Sequence, residues 1–235
     1  MRNSITEHLV CVTDNCNSSL ELERLRSVGD DCTEGFLNCD VCDACYPIIN
    51  GVAIIVDYFP SYISQRTRIL GKWLLECKTD VMKKFVRKQA RDAHKLAQNR
   101  YEEGGAWFEP YLYMQSPKTK TDKHFSQIIN ENFDNFYSHL ADPILDKFSD
   151  SKMCLDLGCA TGTVTHRLTK KLGFVFGVDQ SFSFVREAHK QNKDNTEFLV
   201  ADSLKLPFKN DKFDLIISLN ILDLVNPEKL LRYIR

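Results

Sequence analysis

The sequence predicts an α/β fold in which a parallel sheet follows a small cysteine-rich β unit and a helical segment. Three observations lead there. Short apolar runs alternate with helix-like patterns across residues 153–218, as expected of parallel strands buried on both faces. A glycine-punctuated turn follows the first of these runs. Six of the nine cysteines fall before position 46. The implied division places the cysteine-rich unit at residues 1–58, the helical region at 59–150 and the sheet, with about four strands, at 151–235.

The first run, Met153-Cys154-Leu155-Asp156-Leu157, leads into Gly158-Cys159-Ala160-Thr161-Gly162-Thr163 and then a helical pattern through Val164, Leu168 and Leu172. Glycines permit positive φ and leave room for a ligand to lie against main-chain N–H groups. That is the first strand-turn-helix of a nucleotide-binding α/β sheet. The order is Asp-x-Gly-x-Ala-x-Gly, not the Gly-x-Gly-x-x-Gly of dinucleotide sites, which argues against an NAD-dependent oxidoreductase. A second run, residues 174–179, ends in Asp179, where a carboxylate can accept both ribose hydroxyls. A helix is expected over 182–191 and a third strand over 196–200, followed by Asp202 and Ser203; Asp202 reads equally as a turn former or helix cap. Leu206-Pro207-Phe208 and a polar turn lead to a fourth strand at 213–218. Asn220 and Asp223 lie beyond it, and Asn226-Pro227 opens a helix.

In this order and spacing the segments resemble the first half of class I S-adenosylmethionine (SAM) dependent methyltransferases, where Asp-Leu-Gly-Cys-Gly-x-Gly is common. Ala160 departs from that pattern. The resemblance implies a Rossmann-like SAM-binding sheet, with Asp156, Gly158, Ala160 and Gly162 around the methionyl part, Asp179 on the ribose, and Asp202 and Ser203 at the adenine. It sets Asn220 near the amino acid end of SAM, and Asn220 and Asp223 as catalytic candidates. The methyl of a sulfonium is already activated, so the protein must mainly bind, aim and exclude water. A full sheet of that family has seven strands. The chain is therefore expected to be a fragment or truncated product, or to be completed by a partner chain. The alternative function is a SAM-binding or partner-binding scaffold without turnover.

The early cysteines form the pairs Cys11-x-x-x-x-Cys16 and Cys39-x-x-Cys42, separated by residues 20–37, which read as a helical-to-loop segment. There is no secretory signal and no apolar run near twenty residues, so a cytoplasmic setting without a membrane span is expected. A metal site then outweighs a disulfide scaffold. Cys11, Cys16, Cys39 and Cys42 can hold a structural zinc, with Cys32 and Cys45 as other candidates for a ligand and a metal-free fold with buried thiols as the alternative. The run from Cys39 to Ile55, with Cys45-Tyr46-Pro47-Ile48 and a tight turn at Asn50-Gly51, resembles the zinc-ribbon-like domain typified by the tRNA methyltransferase activator, over residues 6–57. Cys77, Cys154 and Cys159 read as small buried hydrophobes.

Residues 62–101 carry a helical apolar stripe, broken near 78–80, with many Lys and Arg between. Such a face is either solvated or in contact with a phosphate backbone, and the formal net charge of −1 does not mark the whole chain as a nucleic-acid protein. Residues 101–111 read as a glycine-hinged aromatic loop and 117–123 as a polar linker. A helix is expected from 121 or 122 to 140, and another after Asp142-Pro143. His124 and His139 read as surface or packed residues. The methyl acceptor stays open: small molecule, RNA or protein.

Overall fold

The structure is a computed structural model and describes residues 1–96, 139, 142–143, 145–219, 221–222 and 224–234. The chain begins with a 3₁₀ turn, Asn3–His8, and continues into four strands: β1 (Glu21–Val28), β2 (Asp31–Asn38), β3 (Cys45–Ile49) and β4 (Val52–Ile55). Residues 20–37, read as helical to loop, are thus an antiparallel hairpin. The Leu, Glu and Arg of β1 favour helix intrinsically, but β1 is a largely exposed edge strand, and pairing with β2 overrides that preference. The β3–β4 connection is the expected tight turn, with Asn50 at φ 52° and Gly51 at φ 82°, the two positive values that a type I′ hairpin turn requires.

Three helices follow: α1 (Phe59–Ser64), α2 (Thr67–Glu76) and α3 (Asp80–His94). The break falls where the stripe predicted it. Thr79 caps α3 by accepting from Met82 N, and the buried Glu34 of β2 accepts from the backbone N–H of Lys78 and Thr79 and from the Thr79 hydroxyl. An anion at a helix N-terminus satisfies donors that have no intrahelical partner. The expected loop at 101–111, the helix up to 140 and His124 lie outside the described residues; His139 is exposed.

The remaining elements are β5 (Met153–Leu157), α4 (Thr163–Leu168), β6 (Phe174–Asp179), α5 (Phe182–His189), β7 (Thr196–Ala201), β8 (Leu215–Ser218) and α6 (Pro227–Tyr233). Asn226 caps α6 by accepting from Lys229 N. Strands β5 to β8 are mutually parallel, in the order β7-β6-β5-β8. The sequence gives no hint of what borders β7. There β4 adds in parallel, with Ala53 opposite Leu199, Ile54 opposite Val200 and Ile55 opposite Ala201. The cysteine-rich strands and the four expected strands are therefore one sheet of eight, β1-β2-β3-β4-β7-β6-β5-β8. The β7 edge is met by the same chain.

The core is shared in the same way. On one face Leu9, Ile48 and Ile55 pack with Leu155, Phe176 and Leu199. On the other, Ile54 packs with Trp73, Val86, Phe182 and Phe198. All four residues of β4 are fully buried, which explains its unbroken apolar sequence.

Candidate cofactor site and cysteine cluster

Because β4 to β8 run parallel in the order above, their carboxyl ends lie along one edge of the sheet. In open α/β sheets ligands bind beyond that edge. The β5–α4 turn is built there by backbone hydrogen bonds: the N–H groups of Gly158 and Cys159 donate to Val178 O at 2.8 and 3.0 Å, and Gly162 N donates to Cys159 O at 2.8 Å. Gly158 (φ 82°) and Gly162 (φ 80°) both take left-handed backbone. A Cβ on Gly162 would also lie 2.9 Å from Ala188 and Phe198 side-chain atoms. Ala160 adopts φ 46° despite its methyl group, a strained conformation for a residue with a Cβ.

Asp179, at the tip of β6, locks onto this turn. Its Oδ2 accepts from Ala160 N at 3.1 Å and its Oδ1 from Ser181 N at 2.8 Å. Two backbone donors fix the plane of the carboxylate beside the turn, so both oxygens are oriented before any ligand arrives. Asp156 is 2 % exposed and accepts from the Thr165 hydroxyl at 2.6 Å. Burial, aided by the nearby Asp179 charge, pushes its carboxyl up to about 6 against the opposing Thr165 bond. Asp202 follows β7 and accepts from Leu204 N at 2.9 Å; Ser203 beside it is buried. The structure thus brings Asp156, Gly158, Ala160, Gly162 and Asp179 together at the β5 and β6 tips, with Asp202 and Ser203 at the β7 tip. Asn220 and Asp223 lie outside the described residues.

Two contributions escaped the sequence. Tyr62 of α1 donates to Gln180 O at 3.0 Å, next to Asp179, so α1 flanks the β6 tip. Lys205, just after Asp202, reaches Asp14 at 2.5 Å and Asp57 at 2.7 Å, tying the β7 loop to the cysteine-rich unit. A second tie is the pairing of Leu9 with Phe208 and the bond from Val10 N to Pro207 O at 3.0 Å. Neither has a local sequence signal, because the partners are far apart in the chain. A cavity of about 460 Å³ is lined by Leu206, Phe208, Phe213, Ile216 and Tyr233.

The cysteine pairs converge as their spacing suggested. The sulfurs of Cys11, Cys16, Cys39 and Cys42 all lie within 4.8 Å of one another. Cys11 and Cys42 are 3.4 Å apart, and Cys16 and Cys39 3.5 Å, too far for disulfides. A tetrahedral zinc with Zn–S bonds of about 2.3 Å wants sulfur pairs about 3.8 Å apart, so the donor set fits. Cys32 instead donates to Glu34 O, and Cys45 is exposed; neither belongs to the cluster. Ser18 hydrogen bonds pull the Cys16 thiol down, while burial pushes Cys39 up. The Tyr46 hydroxyl lies 3.1 Å from Cys11 Sγ and 3.3 Å from the Thr13 hydroxyl and accepts from Val12 N, which packs the buried tyrosine of the Tyr-Pro-Ile segment against the cluster.

Comparison with known proteins bears on this geometry. Residues 154–235 match the family described as Methyltransferase domain. The match starts in β5 and takes in the glycine turn, Asp179 and Asp202. An uncharacterized protein of Methanocaldococcus jannaschii is 35% identical over 94 residues, 39% of each chain. Magnesium protoporphyrin IX methyltransferase from Synechocystis PCC 6803, solved with bound SAH, is similar at 18% identity and a TM-score of 0.44, over 55% of this chain and 62% of that one. A structure of the complex containing the Haloferax volcanii Trm112 methyltransferase activator is similar at 26% identity and a TM-score of 0.39, over 44% of this chain and 49% of the other. The chain thus spans about two-fifths of the curated relative it matches. No described helix is long and apolar enough to cross a membrane.

Proposed function

We propose that the chain is a SAM-dependent methyltransferase core fused to its own zinc ribbon. The observation that carries this reading is the oriented Asp179 carboxylate beside the Gly158–Gly162 turn, inside the segment that matches the methyltransferase family. Asp179 holds the ribose hydroxyls. The turn leaves its N–H groups and open backbone to the methionyl part, and Asp202 with Ser203 meets the adenine. Asp156 supports the reading electrostatically: a buried carboxylate pushed up to about 6 is costly alone, and a cofactor bearing a sulfonium and an ammonium group supplies compensating charge. Asn220 and Asp223 follow β8, where they can orient the acceptor.

The four thiolates hold a structural zinc, since they leave no position for a reactive water. The ribbon extends the sheet through β4 and fixes the β7 loop through Lys205 and Val10.

Isothermal titration with S-adenosylhomocysteine tests the site. Saturable binding that is lost in Asp179→Ala is the expected result, and no binding by folded protein removes the proposal. Labelled SAM with a cell extract separates enzyme from scaffold: incorporation of label is expected, whereas binding without incorporation favours the scaffold.

A further inference from the structure

The helical pair α2–α3 carries charge out of proportion to the chain. Between Thr67 and Lys95 there are nine Lys and Arg against three Asp and Glu, a local +6 in a chain of net −1. The structure shows how they are arranged. Met82, Val86 and Ala93 turn the apolar face of α3 inward, and Lys84, Arg87, Lys88 and Arg91 are all exposed on the other side. Their spacing of three and four residues lines them up along two turns. None of these four forms an ion pair or hydrogen bond among the described residues, whereas Lys95 is held by Asp92 at 3.0 Å.

We propose that this face of α3 is the docking surface for the phosphate backbone of a nucleic acid, with RNA as the methyl acceptor. The stripe from Lys84 to Arg91 rises about 10 Å, over which one strand of a duplex presents about three phosphates. The helix is held rigidly enough to position such a strand. Glu34 pins its start, and Phe85 packs on Phe59 of α1 with ring centroids 5.6 Å apart. The same α1 bonds to Gln180 through Tyr62 at the β6 tip, so the stripe is one helix removed from the proposed cofactor site. An anionic membrane fits less well, because the apolar face of α3 is buried and cannot enter a bilayer. An acidic protein partner fits less well because the four residues of the stripe include no aromatic anchor of the kind that dominates protein interfaces.

The acceptor identity rests on the methyl-transfer reading above; the docking face does not. The test is fluorescence anisotropy with a fluorescein-labelled mixed-sequence RNA 20-mer between 50 and 200 mM KCl, on the full chain and on K84E/R87E/K88E/R91E. Expected is binding whose logarithm falls linearly with log salt, at about −0.7 per phosphate contacted. The variant should bind at least about tenfold more weakly at 50 mM and show a slope shallower by about 2. Its S-adenosylhomocysteine affinity should be unchanged. The fourfold Gln variant repeats the measurement should the Glu variant fail to fold. Unchanged RNA binding in a folded variant overturns the proposal. So does equal competition by polyglutamate, or binding to phosphatidylserine vesicles in place of RNA. Loss of cofactor binding with RNA binding intact would refute the methyltransferase reading alone; cofactor binding without RNA binding would refute this one alone.

Discussion

Replacing Asp156 by Asn should stabilise the protein at neutral pH and weaken its hold on the cofactor. The carboxyl is buried and sits at about 6 instead of an ordinary 3.8. A folded state that holds this proton more tightly than the unfolded chain is favoured at low pH. The advantage is complete below about 4 and is lost as pH rises through 6. Converted at 1.36 kcal/mol for each unit, the charge costs up to about 3 kcal/mol above that range. Asn removes the charge and keeps an oxygen to accept the Thr165 hydroxyl, now 2.6 Å from Oδ2. Urea unfolding at pH 4.5 and 7.5 measures the difference, in which titrations elsewhere cancel. The variant should gain about 1 kcal/mol at the lower pH and up to about 3 kcal/mol at the higher. A gain independent of pH, or destabilisation at both, would refute the reasoning. On the proposed cofactor reading the same variant should also bind S-adenosylhomocysteine, which carries an ammonium group, more weakly.

Glu34→Ala leaves three donors at the start of α3 unpaired and should cost about 2–4 kcal/mol in denaturant unfolding, with little effect if α3 is anchored elsewhere. Ile54→Ala empties the junction of β4 and β7 and should cost about 2–5 kcal/mol, lowering cofactor affinity along with stability; a change below 1 kcal/mol would mean that the junction is loose. Ala160→Gly relieves left-handed backbone and should raise the thermal midpoint by the equivalent of up to about 1 kcal/mol; a lower midpoint would show that the methyl group packs favourably. Elemental analysis should find one zinc per chain, and Tyr46→Phe should speed its loss to a chelator without changing the stoichiometry; a metal content near zero removes the ribbon assignment.

Strands β5, β6 and β7 were legible because each is a short apolar run buried on both faces, and the border strand β8, though only half-buried, keeps the same apolar composition; Asp156 and Asp179 were legible as carboxylates at or near strand ends. The cysteine pairs were legible from spacing, although the choice against Cys32 and Cys45 needed coordinates. The β1–β2 hairpin was hidden because an exposed edge strand keeps the charged, helix-favouring composition of Glu21–Val28. The union of β4 with β7 was hidden for a different reason. Val52–Ile55 announces a buried strand, but backbone pairing is blind to side-chain identity, so nothing in those four residues names Thr196–Ala201 as the neighbour. Glu34, Tyr62 and Lys205 likewise act through partners that only the folded chain supplies.

The pairing of Ala53 with Leu199 joins points at opposite ends of the polypeptide, and this bears on how the molecule is made. A ribosome releases β4 long before the residues beside which it must lie, so the emerging ribbon carries an unsatisfied strand border through most of synthesis. Closing so wide a loop is slow. Hydrogen exchange during refolding should therefore show the β1–β3 amides protected early, with Ala53 and Ile55, whose amides alternate toward β7, acquiring protection only together with that strand.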